Sequence, residues 1–127
     1  MADFEFIPAS EVRSFRQLLT WQSAMHLAVE VYQTASELPG NERFELGKEL
    51  RRSAISVPSN IAEGFNRHSR AAYRSHVAIA LGSAGELETQ VELAHRLGFL
   101  DIKLVNPLLE SCGNVGRLAQ GLWRALR

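Results

Sequence analysis

Cysteine occurs once in this 127-residue chain, at Cys112, so no internal disulfide can form and no cysteine-based zinc site is available. Neither sign of charge dominates. Fourteen Lys and Arg stand against fourteen Asp and Glu, which removes whole-chain charge as an argument for a nucleic-acid or membrane partner. No run approaches the roughly 18 consecutive apolar residues of a membrane span. The opening residues, Met1 to Ile7, carry Asp3 and Glu5 where a secretion leader would be basic. A cytoplasmic protein with no membrane partner is expected. Strand signals are also missing: no stretch alternates apolar and polar residues at period two, and no Asn-Gly turn joins β-branched runs. Neither a G-x-x-x-x-G-K-[ST] loop, nor a strand-linked G-x-G-x-x-G, nor a nucleophile elbow occurs. The expectation is a non-enzyme with no catalytic residues and no cofactor.

What is present is helical periodicity. Hydrophobic residues make up 46% of the chain and charged residues 22%, enough for one domain to bury a core unaided. Ser14 and Gln17 have the form of a capping box. They predict a first helix with Leu18, Trp21, Met25, Ala28, Tyr32 and Ala35 inward, stopped by Pro39 and Gly40. Asn41 can cap a second helix carrying Leu46, Leu50, Ala54, Val57 and Ile61, with Gly64 as its terminator. Ser69 can cap a third, running to about Leu97 with Tyr73, Val77, Ala80, Ala84, Leu87, Val91 and Ala94 inward and Gly98 as its stop. The fourth carries Leu104, Leu108, Cys112, Val115, Ala119, Leu122 and Leu126; both Asp101 and the pair Asn106-Pro107 can open it. Breaks this short force successive helices to lie antiparallel. The predicted fold is all-α, an antiparallel up-down-up-down four-helix bundle over 14–127, preceded by an irregular arm over 1–13 whose Phe4 and Phe6 can dock on a neighbour or stay mobile.

Two features run against helix propensity. Pro58 lies inside the second helical pattern, where it removes a backbone hydrogen bond at a cost on the order of 3 kcal/mol, so a bend that serves packing is expected there. In the third helix Ala78, Ala80, Gly82, Ser83, Ala84 and Gly85 put small residues on every side for two turns. Gly113, Gly116 and Gly121 echo this in the fourth. Two interior glycines cost about 1 kcal/mol each, a loss recovered when another helix packs against the thinned side. Gly82 and Gly85 are therefore candidate oligomer-interface residues, with tight packing inside one subunit as the competing reading.

Charge is unevenly spread. Residues 1–42 hold two basic and six acidic side chains, 43–76 hold seven and three, and 77–127 hold five and five. The basic middle marks a candidate nucleic-acid surface, since guanidinium groups bind phosphates strongly. Placing the turn between the second and third helices at residues 66 and 67 sets Lys48 opposite Glu86 and Arg43 opposite Glu92. Arg67, Arg70 and Arg74 are then left without obvious partners and stand first as phosphate ligands, with Arg51 and Arg52 second. Glu92-Leu93-Ala94-His95 matches one element of a di-metal bundle site, but no second copy exists. No metal is expected, and His95 is placed at the surface near a helix end.

Four stretches together resemble a known family: FRQLLTWQ from Phe15 to Gln22, RRSAISVPSNIAEG from Arg51 to Gly64, IALGSAGELETQ from Ile79 to Gln90, and GRLAQGLWRALR from Gly116 to Arg127. They are similar to the bacterial four-helix bundle proteins encoded within intervening sequences of large-subunit ribosomal RNA. The accessory variability determinant of diversity-generating retroelements looks like a relative. Arg51, Arg52, Pro58, Asn60, Glu63 and Gly64 match the central motif, and Gly82, Glu86, Leu87 and Glu88 match that of the third helix. The resemblance implies a ring-like homopentamer with a basic surface that, in the retroelement relatives, engages nucleic acid and a reverse transcriptase. The chain departs from the family in its neutral net charge, its acidic arm and Pro107. Two functions are carried forward: a homo-oligomeric RNA- or DNA-associated module, and a scaffold subunit that recruits a protein partner.

Overall fold

The computed structural model describes residues 11–127, so most of the expected arm lies outside the described residues. Four α-helices follow one another: α1 (Leu19–Ala35), α2 (Leu46–Phe65), α3 (Arg70–Arg96) and α4 (Ile102–Ala125). No strand occurs among the described residues. Each helix packs on its sequence neighbour, and α1 also packs on α4, closing the predicted up-down-up-down bundle. Leu27 and Val31 of α1, Leu50, Val57 and Ile61 of α2, Val77, Leu87 and Val91 of α3, and Val105, Leu108 and Val115 of α4 fill the interior. This shared apolar core is the main term stabilising the fold.

The helix ends follow their local chemistry. Ser69 Oγ accepts from the Ala72 N–H and opens α3. Gly98, at φ +78°, takes the left-handed conformation that ends it. At α4 the Asp101 carboxylate accepts from the Lys103 N–H, which settles the cap. Pro107 lies within the helix on its exposed side.

Several expectations need correction. The Ser14–Gln17 capping box is present, but it opens a short 3₁₀ turn, Phe15–Gln17; extended backbone at Leu18 then separates this turn from α1. Asn41 does not cap α2. A 3₁₀ turn, Gly40–Arg43, intervenes, and the Asn41 carbonyl accepts from Phe44 and Glu45 N–H. The buried stripe of α1 is Thr20, Ala24, Leu27, Val31, Thr34 and Ala35, rotated by one residue from the predicted one, which leaves Met25 and Tyr32 exposed. In α4, Leu104 is exposed and Leu122 only half-buried.

Gly64 does not terminate α2, which runs on to Phe65. A Cβ at position 64 would sit 2.8 Å from His76 Cβ and 3.1 Å from the Tyr73 carbonyl oxygen, so this glycine permits the close crossing of α2 and α3. Pro58 lies buried inside an unbroken α2. The polar side chains near it face α3: Ser56 Oγ lies 2.7 Å from Ser83 Oγ, and Asn60 Oδ1 lies 3.1 Å from His76 Nδ1.

Candidate nucleic-acid interface

The up-down-up-down order gathers one end of each helix at the same pole of the bundle. The turn before α1 brings Arg13 and Arg16, the α2–α3 turn brings Arg67, His68, Arg70 and Arg74, and the end of α4 brings Arg124 and Arg127. Against these stand Glu11 and Glu63. At the opposite pole Glu37, Glu42, Glu45 and Asp101 alternate with Arg43, Lys48, Arg96 and Lys103. Neutral overall charge therefore conceals one strongly basic end.

The three arginines placed first as phosphate ligands all have partners. Arg67 Nη2 donates to Glu63 Oε2 at 2.7 Å. Arg70 Nε donates to the Arg127 carbonyl at 3.3 Å, and its Nη2 reaches the Ala125 carbonyl. Arg74 Nε donates to the Trp123 carbonyl at 3.2 Å, while its guanidinium carbon stacks 3.6 Å from the Trp123 ring centroid. The last carbonyls of a helix have no partner within the helix and carry partial negative charge. Arg70 and Arg74 thus fasten the start of α3 to the end of α4. Arg67 pairs only with a surface carboxylate, a contact worth little to stability and readily exchanged for a phosphate. The expectation that all three are unpartnered is corrected: the acceptor of Arg67 lies four residues back at the end of α2, and those of Arg70 and Arg74 lie some fifty residues away in sequence.

The secondary candidates lie in the other half of the bundle. Arg52 donates to Glu49 at 3.0 Å and to Glu86 at 2.9 Å. Arg51 donates to the Arg43 carbonyl at 3.3 Å, with its guanidinium carbon 5.9 Å from the Tyr32 ring centroid. It is Arg52, and not Lys48, that meets Glu86, one helical turn along α2 from the predicted partner. The Arg52 hydrogen bond holds the Glu86 carboxyl below its ordinary range, and the Arg67 hydrogen bond, aided by His76, does the same for Glu63. Neither patch brings together all five arginines.

Other chemistry has little support in the geometry. Among the described residues no three His, Cys, Asp or Glu side chains group as metal ligands. His95 is half-buried, and its Nδ1–H donates to the Leu100 carbonyl at 3.0 Å, so the expected surface position is corrected. A shallow cleft of about 170 Å³ between α1 and α4, lined by Ser23, His26, Glu30, Ser111, Asn114 and Val115, is smaller than a usual small-molecule site of about 300 Å³ or more. Burial, then Glu88 and Glu30, push the Cys112 thiol up to about 12, far from a nucleophile's range. No described helix is long and apolar enough to cross a membrane.

The arginines that sequence reasoning missed are Arg13, Arg16, Arg124 and Arg127. The signal was available in the predicted topology, which already places residues near 14, 66, 70 and 126 at one pole. Gly82, Gly85 and Gly116 point outward, where an added Cβ would meet nothing within 4 Å.

The model of the 23S rRNA-intervening sequence protein family matches residues 16–121. The chain belongs to this family. A solved structure of the same fold is a protein of unknown function from the S23 ribosomal protein family of Bacteroides thetaiotaomicron. It has a TM-score of 0.75 at 20% identity, covering 84% of this chain and 99% of that one. No functionally curated protein matches the chain. The family match spans all four helices and the inner part of the basic pole, stopping short of Arg124 and Arg127.

Proposed function

We propose that this family member is a non-catalytic, homo-oligomeric binding module that contacts RNA or DNA through the basic pole of its bundle. The observation that carries this reading is the convergence of Arg13, Arg16, Arg67, Arg124 and Arg127 on one end, with Arg70 and Arg74 beside them on the last carbonyls of α4. Such a surface follows phosphate spacing without reading bases, and its affinity falls with salt as counterions are released. Gly82 and Gly85 lie away from the other three helices and supply a thinned face for a second subunit. The sequence resemblance to pentameric relatives supports a ring of five.

The test is fluorescence anisotropy with an RNA hairpin and a DNA duplex, from low to high salt. Binding should weaken with a log–log slope of about 0.7–0.9 per phosphate contacted. Arg67→Glu with Arg124→Glu should weaken low-salt binding at least about tenfold and flatten the slope by about two. This pair is preferred to Arg70 or Arg74, whose replacement loosens α4. Absence of binding at low salt would sink the proposal and leave the protein-recruiting scaffold as the better reading.

A further inference from the structure

Along the α2–α3 seam a chain of polar side chains runs from the interior to the basic pole. Ser83 Oγ lies 2.7 Å from Ser56 Oγ, and Asn60 Nδ2 donates both to Ser56 Oγ at 3.1 Å and to the Ser56 carbonyl at 2.9 Å. Asn60 Oδ1 lies 3.1 Å from His76 Nδ1, and His76 Nε2 lies 3.7 Å from Glu63 Oε2. That same carboxylate oxygen accepts from Arg67 Nη2 at 2.7 Å. The chain therefore ends on an arginine of the basic pole whose ion-pair partner is a surface carboxylate.

These contacts fix the proton on the imidazole. A carbonyl only accepts, so the Asn60 atom that meets the Ser56 carbonyl is the amide nitrogen, and the atom that meets His76 is the amide oxygen. An amide oxygen also only accepts, so Nδ1 of His76 carries the hydrogen. In neutral His76, Nε2 is then a bare acceptor turned toward a second acceptor, and their 3.7 Å separation is beyond hydrogen-bond reach. A second proton, placed on Nε2, makes a charge-assisted hydrogen bond to Glu63 available. Glu63 remains a carboxylate across the range in which imidazoles titrate, because the Arg67 hydrogen bond and then His76 hold its carboxyl below the ordinary value. The His76 side chain is 17% exposed, against 54% for Glu63 and 51% for Arg67, so packing holds the ring while its two partners can swing. Among the described residues Glu63 is the one carboxylate within ion-pair distance of His76; α1 and α4 bring none. Tyr73 flanks the same crossing at Gly64, and Arg70 and Arg74 on α3 are turned onto the α4 carbonyls.

We propose that His76 is a positioning residue for Arg67: a proton taken up at His76 Nε2 draws Glu63 Oε2 away from the Arg67 guanidinium and leaves that guanidinium to a phosphate of the bound nucleic acid. The group formed by Arg67, Glu63 and His76 passes from neutral to singly positive as it does so. Phosphate binding at the basic pole strengthens as pH falls. This rests on the reading of that pole as a nucleic-acid surface.

The test starts from His68→Gln in the full chain, because His68 is an exposed imidazole at the same turn and adds its own charge on protonation. Anisotropy with an RNA hairpin should then give a log–log salt slope steeper at about pH 5.5 than at about pH 8 by one phosphate contact, about 0.7–0.9. Adding Glu63→Ala, at an exposed position, should give the steep slope at both pH values. Adding His76→Gln should give the shallow slope at both. Nitrogen NMR of the His76 ring should find hydrogen on Nδ1 alone at about pH 8 and on both nitrogens at about pH 5.5, with the Glu63 carboxyl carbon shifting at the same midpoint. A pH response that survives Glu63→Ala, or a hydrogen on Nε2 alone at the higher pH, would overturn the proposal. Failure to bind RNA at either pH would instead end the reading of the basic pole as a nucleic-acid surface. The ring and carboxyl signals then decide the His76 proposal by themselves, and a Glu63 carbon indifferent to His76 protonation overturns it.

Discussion

A methyl group at position 64 would meet the backbone of α3 at the Tyr73 carbonyl and the Cβ of His76, and neither can yield without moving a helix. Alanine has a better helix propensity than glycine by about 1 kcal/mol, but overpacking of this kind costs about 1–3 kcal/mol. Gly64→Ala should therefore lower the urea midpoint of unfolding. Gly121→Ala, inside α4 at a position where a Cβ meets nothing within 4 Å, should raise it or leave it unchanged. Equal effects from the two substitutions, measured by circular dichroism, would refute this assignment of the glycines. In the sequence the two positions look alike, each a glycine inside a helical pattern. Gly64 was legible as special but read as a stop, because a glycine that ends a helix and a glycine that admits a crossing helix share the same local neighbours. His95 shows the same limit: its acceptor, the Leu100 carbonyl, comes from a turn whose path is not set by residue type.

At the scale of the helices, periodicity revealed α2 and α3 almost in full and misplaced the face of α1. Leu50, Ala54, Val57 and Ile61, and Val77 through Ala94, are buried as their spacing implies. On α1 two stripes one residue apart share the same period, and the larger side chains Trp21, Met25 and Tyr32 outweighed Thr20, Ala24 and Leu27 in the reading, although the core took the smaller set. Tight helix approach selects small residues such as Ala24 and Ala35, and burial then depends on fit as well as hydrophobicity. The α2–α3 seam is also sensitive to acid. Glu86 and Glu63 have carboxyl groups held below the ordinary carboxylate value by Arg52 and by Arg67 with His76. A depressed folded-state value means that the contribution to stability is present above the ordinary carboxylate range and is lost as pH falls through the lower folded value. Both groups are exposed, so the effect is small. The thermal midpoint should fall between pH 5 and pH 3, and Glu86→Gln should make that fall shallower. An unchanged acid slope in the variant would remove Glu86 from the account.

Taken as a whole, the molecule separates its charge along the bundle axis and its thiol from the solvent. The basic pole was half legible: the middle segment of the chain showed its surplus of arginine, yet residues 13–16 and 124–127 join it only when α1 and α4 are laid antiparallel. Arg70 and Arg74 lost their apparent freedom for the same reason, since their acceptors arrive with the last turn of α4. Cys112 offers a measure of how far this arrangement opens as one unit. It is 1% exposed in the middle of α4, with its thiol pushed up to about 12 from a usual 9.0, which lowers the thiolate fraction at pH 8 by about a thousandfold. A thiol reagent should then reach it only through opening of the bundle. If the four helices unfold as one cooperative unit, the urea dependence of Cys112 labelling should follow the loss of helix signal with a common midpoint. A labelling transition well below that midpoint would show that α4 detaches first. In that case the Arg70 and Arg74 contacts at its C-terminal end would be too weak to hold it, and replacing Arg74 by alanine would leave the labelling midpoint where it was.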